Sequence, residues 1–212
     1  MSPVSFEVSG ARVEAYAAVP TLVLRLRITA ADANPVHAIA LRSQIMIEPK
    51  RRHYEHDEEQ RLTELFGETP RWGDTLRPFL WTNVSLTVTG FTAQTEVDLP
   101  IACTYDFEVA AAKYMHSLDD GEIPIVAMFS GTVFGRSAAG LSASPVSWSE
   151  EASYRLPVAL WRDMMDLYFP NTGWLRLRRE TLDALQRYKT HRALLTWDET
   201  FERLLKEAGE DA

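Results

Sequence analysis

The chain has a single cysteine, Cys103, among 212 residues, so no disulfide can form within it. That residue sits in an alternating apolar run, where a thiol behaves as a small buried hydrophobe. No neighbouring charge is placed to lower its pKa and make it a nucleophile. No apolar run is long enough for a membrane helix. The opening Met1-Ser2-Pro3-Val4-Ser5-Phe6-Glu7 has no basic region ahead of an apolar stretch. No signal peptide is therefore predicted, and the expected location is cytoplasmic. Excess positive charge is missing too, since 30 acids face 22 bases for a net charge of -8. Such a balance repels phosphate backbones and argues against nucleic acid or anionic membranes as partners. The short basic clusters Lys50-Arg51-Arg52 and Arg176, Arg178 and Arg179 are flanked by acids and read as solvated faces.

Recognisable chemistry is equally sparse. Gly135-Arg136-Ser137-Ala138-Ala139-Gly140 has glycines but no following Lys-Ser or Lys-Thr, so it is no phosphate loop. Ser130 precedes a glycine without the second glycine of a hydrolase elbow. Asp119-Asp120-Gly121-Glu122 lacks the alternating oxygen ligands of a calcium loop and reads as a turn. Asp106 and Glu108 are split between a helix cap and the helix that follows, so they make no acid-base pair. Of the five histidines only His53 and His56 are close. Their spacing is one residue short of a zinc-protease helix, and they precede the predicted helix start. No catalytic residue, metal ligand or cofactor is assigned. A small metal-binding protein or enzyme using His53 and His56 is the alternative reading.

What the sequence does contain is pattern. Leu22, Leu24, Leu26 and Ile28 alternate with Arg25 and Arg27, the period of a half-buried strand. Ile39, Leu41, Ile45 and Ile47 do the same against Arg42, Gln44 and Glu48. The turn Asp32-Ala33-Asn34-Pro35 between them predicts an antiparallel hairpin. Further strands are expected over 6–15, 84–89 and 97–105. A central strand over 123–134 is expected to be apolar on both faces, and 135–150 forms a loop or weak edge strand. Asp57-Glu58-Glu59-Gln60 reads as a capping box for one inserted helix, and Asp106 as the cap of a second. Leu156-Pro157 opens a helical region with Leu160, Trp161, Met164, Met165 and Tyr168 on its buried side. Pro170 to Gly173 breaks it, Leu182, Leu185 and Tyr188 mark the next helix, and Thr196-Trp197-Asp198-Glu199 caps the last. The expected fold is α+β: a mainly antiparallel sandwich of about seven strands with two helical insertions. Residues 1–150 form the β-rich part, and 151–212 form a helical segment packed on the same core.

Phe66 to Trp81 concentrates two tryptophans, two phenylalanines and two arginines among turn formers. Trp and Arg combine apolar area with directed polar contacts, as binding hot spots require. Arg71, Trp72, Arg77 and Trp81 are therefore the candidate partner-binding residues. The competing reading folds the same rings over one end of the sandwich.

Five separated motifs carry a resemblance. They are Phe66-Gly67-Glu68, Arg71-Trp72-Gly73, Thr104-Tyr105-Asp106-Phe107-Glu108-Val109, Phe129-Ser130-Gly131-Thr132-Val133-Phe134, and Tyr168-Phe169-Pro170-Asn171-Thr172-Gly173-Trp174-Leu175. Over nearly its whole length the chain resembles an uncharacterised bacterial family often encoded beside high-affinity nickel-iron uptake hydrogenases. The resemblance carries no catalytic residues. It implies a setting in hydrogenase assembly, maturation or electron delivery, with hydrogenase subunits or maturation factors as partners. The expected function is thus a non-catalytic accessory or interaction protein, an adaptor or assembly factor. A holdase-type chaperone is a further alternative.

Overall fold

Alternation through the first 157 residues resolves into two antiparallel sheets. The computed structural model describes residues 2–32, 34–104, 106, 109–137, 140–170, 172 and 175–210. Strands β1 (Val4–Val13), β2 (Thr21–Ala30) and β5 (Gln94–Ala102) make a three-stranded sheet in the order β1-β2-β5. The larger sheet has β3 (Val36–Ile47), β4 (Phe79–Phe91), β6 (Glu122–Ser137), β7 (Gly140–Pro145) and β8 (Glu151–Pro157). Its order is β4-β3-β6, and the far side of β6 pairs with β8 over 122–128 and with β7 over 132–137. The expected α+β sandwich is what forms, with eight strands in place of about seven.

The extra strand is β8, which occupies a segment expected to open a helix. Leu156 pairs with Ile123, and Pro157 becomes the N-cap of α4 (Val158–Tyr168) instead of its first turn.

A second correction concerns β2 and β3, which do not form a hairpin. β2 pairs with β1 and β5, while β3 pairs with β4 and β6, so the chain changes sheets between them. The reason is burial. Leu22, Leu24, Leu26 and Ile28 on one strand and Ile39, Leu41, Ile45 and Ile47 on the other all lie in one core. Placing the two stripes in opposite layers covers both at once. Each such side chain contributes about 1.5–3 kcal/mol. Side by side, both stripes would have to be covered by other residues.

β6 is central, as expected, but it is covered on both faces only as far as Val126. Beyond that, Met128 and Ser130 are exposed. The first inserted helix, α1 (His56–Phe66), starts earlier than its acidic run suggested. Its capping box is Glu55 with Glu58, because Glu58 turns inward to accept from the Glu55 amide and cannot serve as a solvated first-turn acid. After the short α2 (Trp72–Thr75), helix α3 (Ala110–His116) begins at the N-cap Val109, downstream of Asp106. The expected turn at Ala33, the cap segment at Phe107 and Glu108, the glycine-rich run at Ala138 and Ala139, and the break at Asn171, Gly173 and Trp174 fall outside the described residues.

Two compact units result, Met1–Trp174 and Leu175–Ala212, where 1–150 and 151–212 had been expected. The second consists of α5 (Arg179–His191) and α6 (Trp197–Ala208). The predicted capping box at Thr196 and Glu199 is present, and Gly209 ends α6 in the left-handed conformation. Tyr188 donates to Glu207 at 3.0 Å across the two helices. Of the residues in these helices, only Thr200 is buried.

Candidate interaction site on the larger sheet

The tryptophans expected at a partner surface are drawn inward. Trp72 is buried; its Nε1–H donates to the Gly67 carbonyl at 2.8 Å. It packs edge-on against Tyr54 at 5.3 Å and Phe66 at 6.2 Å between ring centroids. Trp81 is half-buried and packs against the same core. It is the extra residue where the β3–β4 register slips from Ile45/Thr82 to Met46/Leu80. Arg71 and Arg77 stay exposed, and Arg77 Nε donates to the Asp74 carbonyl at 3.0 Å. Two of the four residues thus hold the aromatic cap together, and two lie on its surface.

Beneath this cap is a charge pair that sequence reading missed. The side chains of Arg52 and Glu58 are 8% and 2% exposed, and Arg52 Nη2 donates to both carboxylate oxygens at 2.8 and 3.0 Å. Glu58 also accepts from the amides of Glu55 and Asp119, while Arg52 also donates to the carbonyls of His53, Asp120 and Glu122. A buried pair survives only when its remaining hydrogen-bonding capacity is met in this way. Tyr54 and Tyr114 hydroxyls meet at 2.8 Å beside it, and burial pushes the Tyr114 phenol up to about 12. These groups pin α1 to the turn before β6. His53 and His56 are exposed, with His56 Nε2 2.9 Å from Gln60 Nε2. Among the described residues no three His, Cys, Asp or Glu side chains gather as metal ligands. Burial pushes the Cys103 thiol up to about 12, which holds it as an inert thiol.

The outward faces of the two sheets differ. On the smaller sheet every arginine is matched. Arg12 meets Glu14 and Asp98 at 2.8 and 2.9 Å; Arg25 meets Asp98 and Glu96 at 3.3 and 3.7 Å; Arg27 meets Glu96 and Glu7 at 3.0 and 3.1 Å. On the larger sheet Arg42 stands at the centre, directly opposite Ser85 on β4 and Ser130 on β6. Among the described residues it makes no ion pair or side-chain hydrogen bond. Thr87 and Thr132 flank Ala40 in the next row, and the group lines a shallow depression of about 640 Å³. Gly131 lies on its wall with φ of 143°; a Cβ there would sit 2.0 Å from the Ala40 carbonyl oxygen. Only glycine permits that approach.

β4 forms one edge of this sheet. Edge strands usually carry charges, prolines or bulges, or are short, which keeps other chains from pairing with their free backbone groups. The other edges follow this rule. β1 has a register shift at Val8/Gly10; β5 carries Glu96, Asp98 and Pro100; β7 is six residues long and ends in Pro145; β8 has Glu151, Arg155 and Pro157. β4 has 13 residues without one charge or proline. Beyond the bulge at Trp81, its register against β3 is regular from Thr82 to Thr89. Among the described residues no strand and no backbone hydrogen bond covers its other side.

A family model described as "Family of unknown function (DUF6084)" matches residues 1–212. The chain belongs to that family. No curated protein matches it. Among solved structures it is similar to the β-glucosidase from Kluyveromyces marxianus, with TM-score 0.28 and 6% identity, over 73% of this chain and 15% of that one. The same enzyme in complex with glucose gives 0.27 and 6%. The β-glucosidase 3B from Thermotoga neapolitana in complex with α-D-glucose gives 0.26 and 16%, over 73% and 17%. The chain spans about a sixth of these enzymes' length, and likeness at that level carries no argument about activity. For this DUF6084 chain the absence of charge from 79 to 91 was readable from the sequence. That β4 is an edge, and that Arg42 has no ion-pair partner among the described residues, was not.

Proposed function

We propose that this protein is a non-catalytic interaction protein that receives an extended segment of a protein partner along β4. The observation that carries this reading is the long edge strand without charge or proline, regular in register from Thr82 to Thr89. Strand addition draws affinity from main-chain hydrogen bonds and selectivity from alternate side chains. Arg71 and Arg77 lie exposed on the segment that leads into β4, where they would meet a partner's flank. The ionisable groups beneath the cap are engaged in holding the fold, which fits a role without bond chemistry. In the setting implied by the hydrogenase-linked resemblance, the protein acts as an adaptor or assembly factor, and the partner is a hydrogenase subunit or maturation factor.

Co-expression with those components tests it. The wild-type chain should co-purify with one of them, and amides of β4 should exchange more slowly in the complex. Thr87→Glu with Thr89→Glu, both on the exposed face of β4, installs the missing edge charge and should abolish recovery. Unchanged recovery by that variant, with an unchanged melting temperature, would remove β4 from the interface.

A further inference from the structure

We infer that the segment received by β4 is acidic on its outward side, and that Arg42 reads a carboxylate placed opposite Ser85. The inference rests on the reading of β4 as the docking edge and names the chemistry of its occupant. Strands in a sheet lie about 4.8 Å apart, so an added strand would be two spacings from β3. Side chains on one face reach diagonal neighbours, and long ones reach further. Between Arg42 and the added strand stands only Ser85, whose side chain is short enough for a guanidinium to pass over. An Asp or Glu on the new strand covers the remaining distance. The serine hydroxyl can then donate to the same carboxylate.

Charge identifies the occupant. Arg42 has no acid within pairing distance among the described residues, although the chain as a whole carries a charge of -8. The field of the whole protein therefore does not gather acidic segments, and selection has to occur at short range and in register. A second copy pairing through its own β4 does not meet the requirement. Its own β4 would bring Asn83, Ser85, Thr87 and Thr89 to the outward face, with no carboxylate among them. The inward positions complete the pattern. Val84 and Leu86 are half-buried against the core, and apolar residues on the incoming strand would extend that layer. The segment that fits alternates apolar residues with polar ones and has one Asp or Glu among the polar positions.

Short fluorescent peptides of alternating Val and Thr, with Glu, Gln or Lys at one central Thr position, test this against the full chain by anisotropy. The Glu peptide should bind about 1.5-fold to fivefold tighter than the Gln peptide, as a partly exposed ion pair supplies, and the Lys peptide weakest. Arg42→Gln should erase the preference, and Arg42→Glu should reverse it toward Lys. Equal binding of Glu and Gln peptides, or a preference that survives Arg42→Gln, overturns the role of Arg42. If that binding is still lost in the Thr87→Glu, Thr89→Glu variant, the docking edge stands without it. Failure of every peptide to bind, or binding indifferent to that variant, overturns the edge and with it the acidic occupant.

Discussion

The two sheets bury their inner faces in the same way and treat their outer faces differently. On the smaller one, three arginines and four acids interlock across β1, β2 and β5. On the larger one, Arg42 sits among hydroxyls beside an edge strand with no charge. A satisfied charge lattice gives a passing chain nothing to pair with. An unmatched guanidinium next to free backbone groups offers both a charge and a ladder. The smaller face thus leaves its arginines matched, and the larger is the face on which the proposed partner would dock.

The comparison implies that fold stability depends on buried charge and close backbone contacts, and little on either outer face. Glu58→Ala should have the largest effect, about 3–5 kcal/mol in urea unfolding, because it leaves Arg52 buried without its counter-ion. If replacing Arg27 on the exposed lattice costs as much, the division between buried and surface charge fails. Gly131→Ala comes next, at about 2 kcal/mol or more, since the new Cβ meets the Ala40 carbonyl and the backbone conformation is strained. A much smaller loss in its urea midpoint would mean that β6 can move away from β3 there.

The sharpest test converts one face into the other. Ser85→Glu supplies Arg42 with a directly opposed carboxylate and should stabilise the chain by about 0.2–1 kcal/mol. The same change should abolish binding of acidic peptides. Stabilisation without loss of binding would separate Arg42 from the docking edge. The smallest effect is expected from pH. Hydrogen bonding from Arg12, with Arg25 beside it, lowers the Asp98 pKa from its ordinary 3.8. In the unfolded chain Asp98 takes up its proton first as pH falls, so its contribution is complete above 3.8. It is lost as pH drops through the depressed folded value. Melting curves below pH 4 should show a slight slope that Asp98→Asn removes, and salt should flatten it. The larger sheet's central outer face has no acid to contribute a matching term.

Much of this fold could be read from alternation alone. The stripes on β2 and β3, the last capping box and the helix carrying Trp161 stand where their periodicity placed them. The sheet in which each strand lies could not be read. β2 and β3 look like hairpin partners because a turn joins them, yet pairing depends on where their apolar faces find cover. The candidate site was legible only in part. Arg71 and Arg77 are on the surface, but Trp72 and Trp81 hold the cap, because a ring that attracts a partner is equally suited to the core. Arg42 looked like any polar residue on a strand's wet side.

By itself the sequence determined the apolar stripes of β2 and β3, the capping box of the last helix, and that the chain is acidic with a single thiol. These follow from local spacing and side-chain chemistry, which do not depend on distant contacts. Only the tertiary structure decided that β4 is an edge, that Glu58 and Arg52 meet under the cap, and that Arg42 faces Ser85 and Ser130 with no acid within pairing distance among the described residues. Each of those depends on which distant segments become neighbours, and that is settled when two apolar layers close over each other.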